Sequence, residues 1–270
     1  WQHNVTLFCP ASPASLTLAD DGVSLGLQDG KVLRARLVVG ADGRESWVRQ
    51  QAGIEASVSA YGERGVVANF DCALPHRATA FQWFRGDGIL AWLPLPGNRM
   101  SMVWSAPDEV ADSLLALDDA AFCDKAAAAG GHALGKLGLI TPRAAFPLRL
   151  MRVASVVKPR IALIGDAAHA IHPLSGHGIN LGFQDAKALA EVLARTPAWR
   201  DIGELAILRS YARARAEEPF LMQYLTHGLN RLFNHPNPIL AALRNTGMNL
   251  TGSLPVLTNA LPRYAANGRF

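Results

Sequence analysis

Between Val5 and Val39 the apolar residues fall in short β-type runs: Val5 to Phe8, Leu16 to Leu18, Val23 to Leu27 and Val32 onward, with Asp20-Asp21-Gly22 and Asp29-Gly30 separating the later ones. Asp-Gly readily takes the positive φ that a tight hairpin needs, so this pattern predicts a β-meander. The meander feeds an apolar strand, Leu37-Val38-Val39, which ends in Gly40-Ala41-Asp42-Gly43. A short helix is predicted next, from Ser46, whose hydroxyl can accept from first-turn amides, to Ala52, with Gly53 as its stop.

A second β-rich stretch lies between Gly65 and Ala106, with strands predicted at Val66 to Phe70, Ala78 to Phe84, Ile89 to Leu95 and Met100 to Trp104. Trp83, Trp92 and Trp104 sit in it, either as core packing or as the lining of a pocket for a flat aromatic molecule. Helical spacing from Leu117 to Ala129 closes at Gly130-Gly131, and the chain returns in extended form through Ala145-Phe146-Pro147-Leu148. Arg160 to Gly165 is the continuous apolar run of a buried strand in a parallel sheet, and the glycine-rich stretch to Gly182 leads into a helix ending near Arg195. From Leu205 to Leu232 the apolar positions again recur at helical spacing, interrupted at Pro219. No repeat or low-complexity tract is present.

With 270 residues, half of them hydrophobic, the chain can bury a sizeable core. No apolar run approaches the roughly eighteen residues of a membrane-spanning helix. Cys9, Cys72 and Cys123 are widely spaced and contain no CxxC pair, a pattern of reduced thiols rather than of disulfides or zinc. The net charge of +4 is modest and its arginines are scattered, so a nucleic-acid partner is not expected, while weak attraction to an anionic membrane surface is compatible with it. The sequence opens on Trp1, with neither a basic nor an apolar leader segment, and reads as a fragment.

The chemistry concentrates in Gly165-Asp166-Ala167-Ala168-His169-Ala170-Ile171-His172-Pro173-Leu174-Ser175-Gly176-His177-Gly178-Ile179-Asn180. A strand ends in Gly-Asp, small residues allow close backbone approach, and a glycine-rich loop delivers a helix N-terminus beginning near Ile179. Such a terminus offers unpaired amides and partial positive charge. An ionised Asp just past a strand is an acceptor-only group that can fix a pair of sugar or ribityl hydroxyls. His169 and His172 lack a third ligand, and no metal site is expected.

This segment resembles the GD motif of the flavin-dependent aromatic hydroxylases, and Val39 to Arg49 resembles their DG motif. Pro75-His76, Ile89 to Leu95, Phe146-Pro147-Leu148 and Arg209 to Arg215 are similar, in that order, to the ubiquinone-biosynthesis branch. The resemblance runs from Leu37 to the C-terminus. It implies an α+β, para-hydroxybenzoate-hydroxylase-like fold: residues 1–60 and 150–200 in the FAD-binding domain, 61–149 as a β-sheet substrate domain, and 201–270 as a C-terminal helical region. It further implies that Gly165 and Asp166 bind the FAD ribityl chain, that Gly178, Ile179 and Asn180 offer amides to the flavin ring, and that Asp42, Gly43 and Arg49 lie near the cofactor phosphates and the NAD(P)H path. Pro173, His177 and Gly178 would form the surroundings of the flavin ring. The family usually has Gln where His177 and Glu63 stand here.

The family's opening strand, G-x-G-x-x-G turn and helix have no counterpart in this sequence, so by resemblance on the order of a hundred residues are expected to be missing. The chain alone is therefore expected to hold FAD weakly or not at all, to be inactive, and to self-associate. The implied activity of the full-length protein is NAD(P)H-dependent hydroxylation of a polyprenylated phenol leading to ubiquinone, in the cytoplasm or peripherally at the inner membrane, beside other enzymes of that pathway. The alternatives are a hydroxylase of a soluble aromatic compound and a non-catalytic lipid-binding or assembly subunit.

Overall fold

A computed structural model describes residues 5–170, 178–217 and 228. The meander consists of β1 (Pro13–Leu18), β2 (Val23–Leu27) and β3 (Val32–Ala35), paired antiparallel in that order. The predicted run from Val5 to Phe8 forms no strand. Its residues are exposed, so no buried face holds an alternating pattern in register.

β4 (Val38–Gly40) pairs parallel with β12 (Ile161–Leu163), whose other side takes β11 (Val157–Lys158) antiparallel. β4 is thus the edge of this small sheet among the described residues. Side chains alternate across β12: Ile161 and Leu163 pack with Ala52 and Ile54 beside α1 (Trp47–Gln51), while Ala162 packs with Leu189, Leu208 and Tyr211. The latter come from α4 (Gly178–Ala194) and α5 (Leu205–Ala214). Helix α1 starts where expected, Ser46 Oγ accepting from Arg49 N at 3.0 Å.

A larger sheet runs in the order β13 (His169–Ala170), β10 (Ala144–Val153), β5 (Ala56–Cys72), β8 (Arg99–Pro107), β7 (Gly88–Leu95), β6 (Phe81–Arg85), with β9 (Leu137–Leu139) paired to the end of β5. Strand β5 spans 17 residues, far beyond Val66 to Phe70, because it pairs with β10 along its first part and with β8 along its second. The sheet therefore takes in residues on both sides of 61–149. Strand β6 starts at Phe81 rather than Ala78, since Arg77 and Ala78 hold φ of 50° and 55°, which turns the chain there.

α3 (Asp119–Ala129) starts two residues later than Leu117, because Asp118 caps it, Oδ1 accepting from Ala121 N at 2.8 Å. Helix α2 (Asp108–Ala116) was not anticipated, although Asp108 and Glu109 complement the positive end of its dipole. Both helices cover one face of the large sheet and bury Trp92, Trp104, Phe70 and Phe122 against it. Trp92 and Trp104 are thus core residues, and Trp83 meets Trp92 edge-on at 4.8 Å between ring centroids. Gly130 closes α3 under Trp92, where a Cβ would lie 2.3 Å from the indole ring.

Candidate functional site

Between Ile161 and Ala170 the chain passes from the parallel sheet to the large one. The ladder to β4 ends with Ile164 N donating to Gly40 O at 3.0 Å. Gly165 then takes φ +59°, and a 3-10 turn over Gly165–Ala167, closed by Ala168 N to Gly165 O at 2.9 Å, leads into β13 on the edge of the large sheet. Asp166 sits at the crest of this turn with 44% of its side chain exposed.

The turn forms one wall of a cavity of about 750 Å³, and Gly43, Arg44, Leu148 and Arg149 form another. The start of α4 closes it with Gly178, Ile179, Gly182 and Phe183. Helix α4 approaches the turn closely: a Cβ on Gly182 would lie 3.3 Å from the Cα of Gly165. Ile179 and Phe183, one helical turn apart, are 68% and 67% exposed, giving an apolar rim beside the polar crest. Arg44 places its guanidinium 3.9 Å from the Asp166 carboxylate and donates to Pro147 O at 3.1 Å. Arg149 lies 3.4 Å from the Glu45 carboxylate.

Of the residues singled out in the sequence, Gly43, Gly165, Asp166, Gly178 and Ile179 meet at this cavity. Asn180 belongs to the same first turn of α4 without lining it. Asp42 and Arg49 do not line it either, because both are engaged in building the loop beside it. Asp42 Oδ2 accepts from Val48 N at 3.0 Å, holding the start of α1. Arg49 is buried and donates to Ala167 O at 3.0 Å and to Arg44 O at 2.8 Å. Pro173 and His177, with His172, lie outside the described residues, as does the expected helical region beyond residue 217 apart from Gly228.

Sequence reasoning missed Asp185. It lies on α4 between Leu181 and Leu189, four residues from each, and all three are buried. An acidic residue at the centre of an apolar stripe was the available signal. Its Oδ2 accepts from Gly165 N at 2.9 Å and lies 2.7 Å from His169 Nε2, while Oδ1 accepts from Arg215 Nε at 2.7 Å. Burial works to raise this carboxyl, but the His169 and Arg215 contacts and the Gly165 amide together outweigh it, holding the group below the ordinary carboxylate range. Nearby, Tyr211 donates to Leu163 O at 2.8 Å, and burial pushes its hydroxyl far up.

The cavity suits a long ligand with an apolar flat part and a polyhydroxy part. The exposed carboxylate of Asp166 accepts hydroxyl donors, the open space above Gly43 and Gly178 admits close backbone approach, and the start of a long helix favours negative charge. These are the features an FAD ribityl chain and ring require.

Comparison with known proteins points to the same cofactor. Residues 16–222 match the family model described as FAD binding domain. Ubiquinone hydroxylase UbiL of Rhodospirillum rubrum is 38% identical over 261 residues, covering 96% of this chain and 61% of that protein. The 3-demethoxyubiquinol 3-hydroxylase of Escherichia coli is 35% identical, covering 97% and 67%. The chain therefore spans roughly three-fifths to two-thirds of the length of these relatives. Among solved structures, the Diels-Alderase PyrE3 of pyrroindomycin biosynthesis superposes with a TM-score of 0.73 at 23% identity, over 95% of this chain and 55% of that one, and shares its fold. The fold is α+β and para-hydroxybenzoate-hydroxylase-like, and the chain belongs to the family described as FAD binding domain.

Proposed function

We propose that the full-length protein is an NAD(P)H-using, FAD-dependent monooxygenase that hydroxylates the ring of a polyprenylated phenol on the way to ubiquinone. The observation that carries this reading is the convergence of Asp166, Gly43 and the start of α4 on one cavity. The names of the ubiquinone hydroxylases among the relatives support the substrate class.

Asp166 would hold the ribityl hydroxyls, and Gly178 and Ile179 would face the electron-accepting end of the ring. Arg44 and Arg149, which line the cavity, would supply positive charge suited to phosphates, while Asp42 and Arg49, expected by resemblance to lie near the phosphates, would build the loop beside them. FAD, when bound, would supply the redox chemistry, the electrons of NAD(P)H reducing one oxygen atom of O2 to water while the other enters the phenol ring. The chain's own part is to orient the ring and exclude water: Ile179, Phe183 and Leu148 provide apolar surface at the cavity for that purpose.

Among the described residues no helix is long and apolar enough to cross a membrane. A prenylated substrate would then be taken up at a membrane surface by a peripherally bound protein, working beside other enzymes of the pathway. Among the described residues the outer side of β4 is a strand-pairing edge, through which the chain would self-associate.

A long-chain prenylphenol is expected to stimulate NAD(P)H oxidation by the full-length protein far more than a small benzoate does. The reverse preference would favour a soluble aromatic substrate. No stimulation by either, with flavin bound, would favour a non-catalytic subunit.

A further inference from the structure

The Asp185 carboxylate is 1% exposed, yet it lies where an apolar side chain would complete the stripe between Leu181 and Leu189. Taking a charge out of water is costly unless its oxygens are satisfied, and a residue that only filled space would be apolar. Each Asp185 oxygen has a defined task. Oδ1 accepts from Arg215 at the C-cap of α5, which supplies the countercharge. Oδ2 accepts from Gly165 N and lies against His169, which opens β13.

The bond to Gly165 is the informative one. Ile164 makes the last bond of the ladder to β4, and the next amide along the chain is claimed by Asp185 instead of by a strand. The carboxylate thus sets the point at which the chain leaves the sheet. From that point Gly165 adopts its positive φ and Asp166 rises to the cavity. The second contact, to His169, fixes the far end of the same turn, so one carboxylate spans both ends of the segment bearing Asp166.

We propose that Asp185 is a positioning residue for the flavin site: it fixes the Gly165–Asp166 turn so that the Asp166 carboxylate points into the cavity, with Arg215 tying this geometry to α5. It does not touch the cavity itself. The inference rests on the reading of Asp166 as a ribityl ligand, and the test separates the two.

FAD affinity would be measured by flavin fluorescence quenching on the full-length apoprotein, with thermal unfolding of each variant and the visible spectrum of the bound flavin. The variants are Asp185→Asn, Asp185→Glu, Asp166→Ala and, as a stability control, Leu189→Ala, which trims the same helix in the core shared with α5. Asp185→Asn is expected to raise the FAD Kd by about tenfold or more and to shift the bound-flavin spectrum, while Leu189→Ala stays within about twofold. If Asp185→Asn does not fold, Asp185→Glu retains the charge while displacing the oxygens, and about a fivefold loss of affinity is expected. Wild-type affinity and spectrum in Asp185→Asn, or in Asp185→Glu where only that variant folds, would overturn the positioning role provided that Asp166→Ala binds weakly. The role would equally fall if Leu189→Ala lost as much affinity as the Asp185 variant. If Asp166→Ala itself binds FAD normally, the reading of Asp166 fails, and with it the positioning role built on that reading.

Discussion

Arg49 donates to the carbonyl of Ala167 at 3.0 Å across 118 residues of sequence, joining the loop after β4 to the turn that bears Asp166. Its second bond, to Arg44 O at 2.8 Å, fixes the loop that carries Arg44 to the cavity. Arg49→Gln would leave two carbonyls without this donor, at a cost of about 2–3 kcal/mol for hydrogen bonds from a buried charged group. Chemical denaturation should show that loss, and FAD affinity should fall with it.

Asp166 behaves differently because it is half exposed and its nearest cation, Arg44, is 3.9 Å away. Such a surface substitution changes stability by about 0.5 kcal/mol or less. Asp166→Ala in the full-length protein should therefore unfold almost as the parent does while losing most of its flavin retention. Unchanged retention after gel filtration would remove Asp166 from the site.

Much of this was legible in the sequence where periodicity and turn chemistry are local. The hairpin from β2 to β3, the Ser46 cap, the apolar run of β12 and the helix beginning near Ile179 all follow from neighbouring residues. The GD and DG segments were recognisable for the same reason. What was not legible depends on distant partners. β5 extends to Ala56 only because β10 pairs with it, and buried Arg49 finds its acceptor in Ala167 O, 118 residues away. Asp185 interrupts the apolar stripe of its helix, a local signal, but its partners Gly165, His169 and Arg215 are 16 to 30 residues away and show only in the fold.

Packing of the large sheet against α3 leaves no room at Gly130, whose added Cβ would lie 2.3 Å from Trp92. Gly130→Ala should destabilise the protein by about 1–3 kcal/mol, the usual range for overpacking a filled core. Thermal unfolding would register the loss, and FAD affinity should not change, since Trp92 faces α3 rather than the cavity.

The pH dependence of stability carries a further signature of Asp185. Although burial opposes it, the His169 and Arg215 contacts and the Gly165 amide hold the folded-state carboxyl below the ordinary carboxylate range, so its contribution is present above that range and is lost as pH falls through the depressed folded pKa. The groups around it are His169, Arg215, the Gly165 amide and the Tyr211 hydroxyl, which stays neutral across this range. Asp185→Asn should therefore be less stable than the parent at neutral pH, with the difference shrinking below about pH 4. A gap that stays constant from neutral to acid pH would show that the carboxylate charge contributes nothing.

Oxygen transfer to the ring is best followed directly. The full-length protein, supplied with FAD, NAD(P)H and a polyprenylated phenol under isotopically heavy O2, should yield a prenylphenol carrying one heavy oxygen on its ring, and the yield should collapse in Asp166→Ala. NAD(P)H consumption with no heavy oxygen in the phenol, or labelling that is unaffected in Asp166→Ala, would contradict a ring hydroxylase built on this cavity.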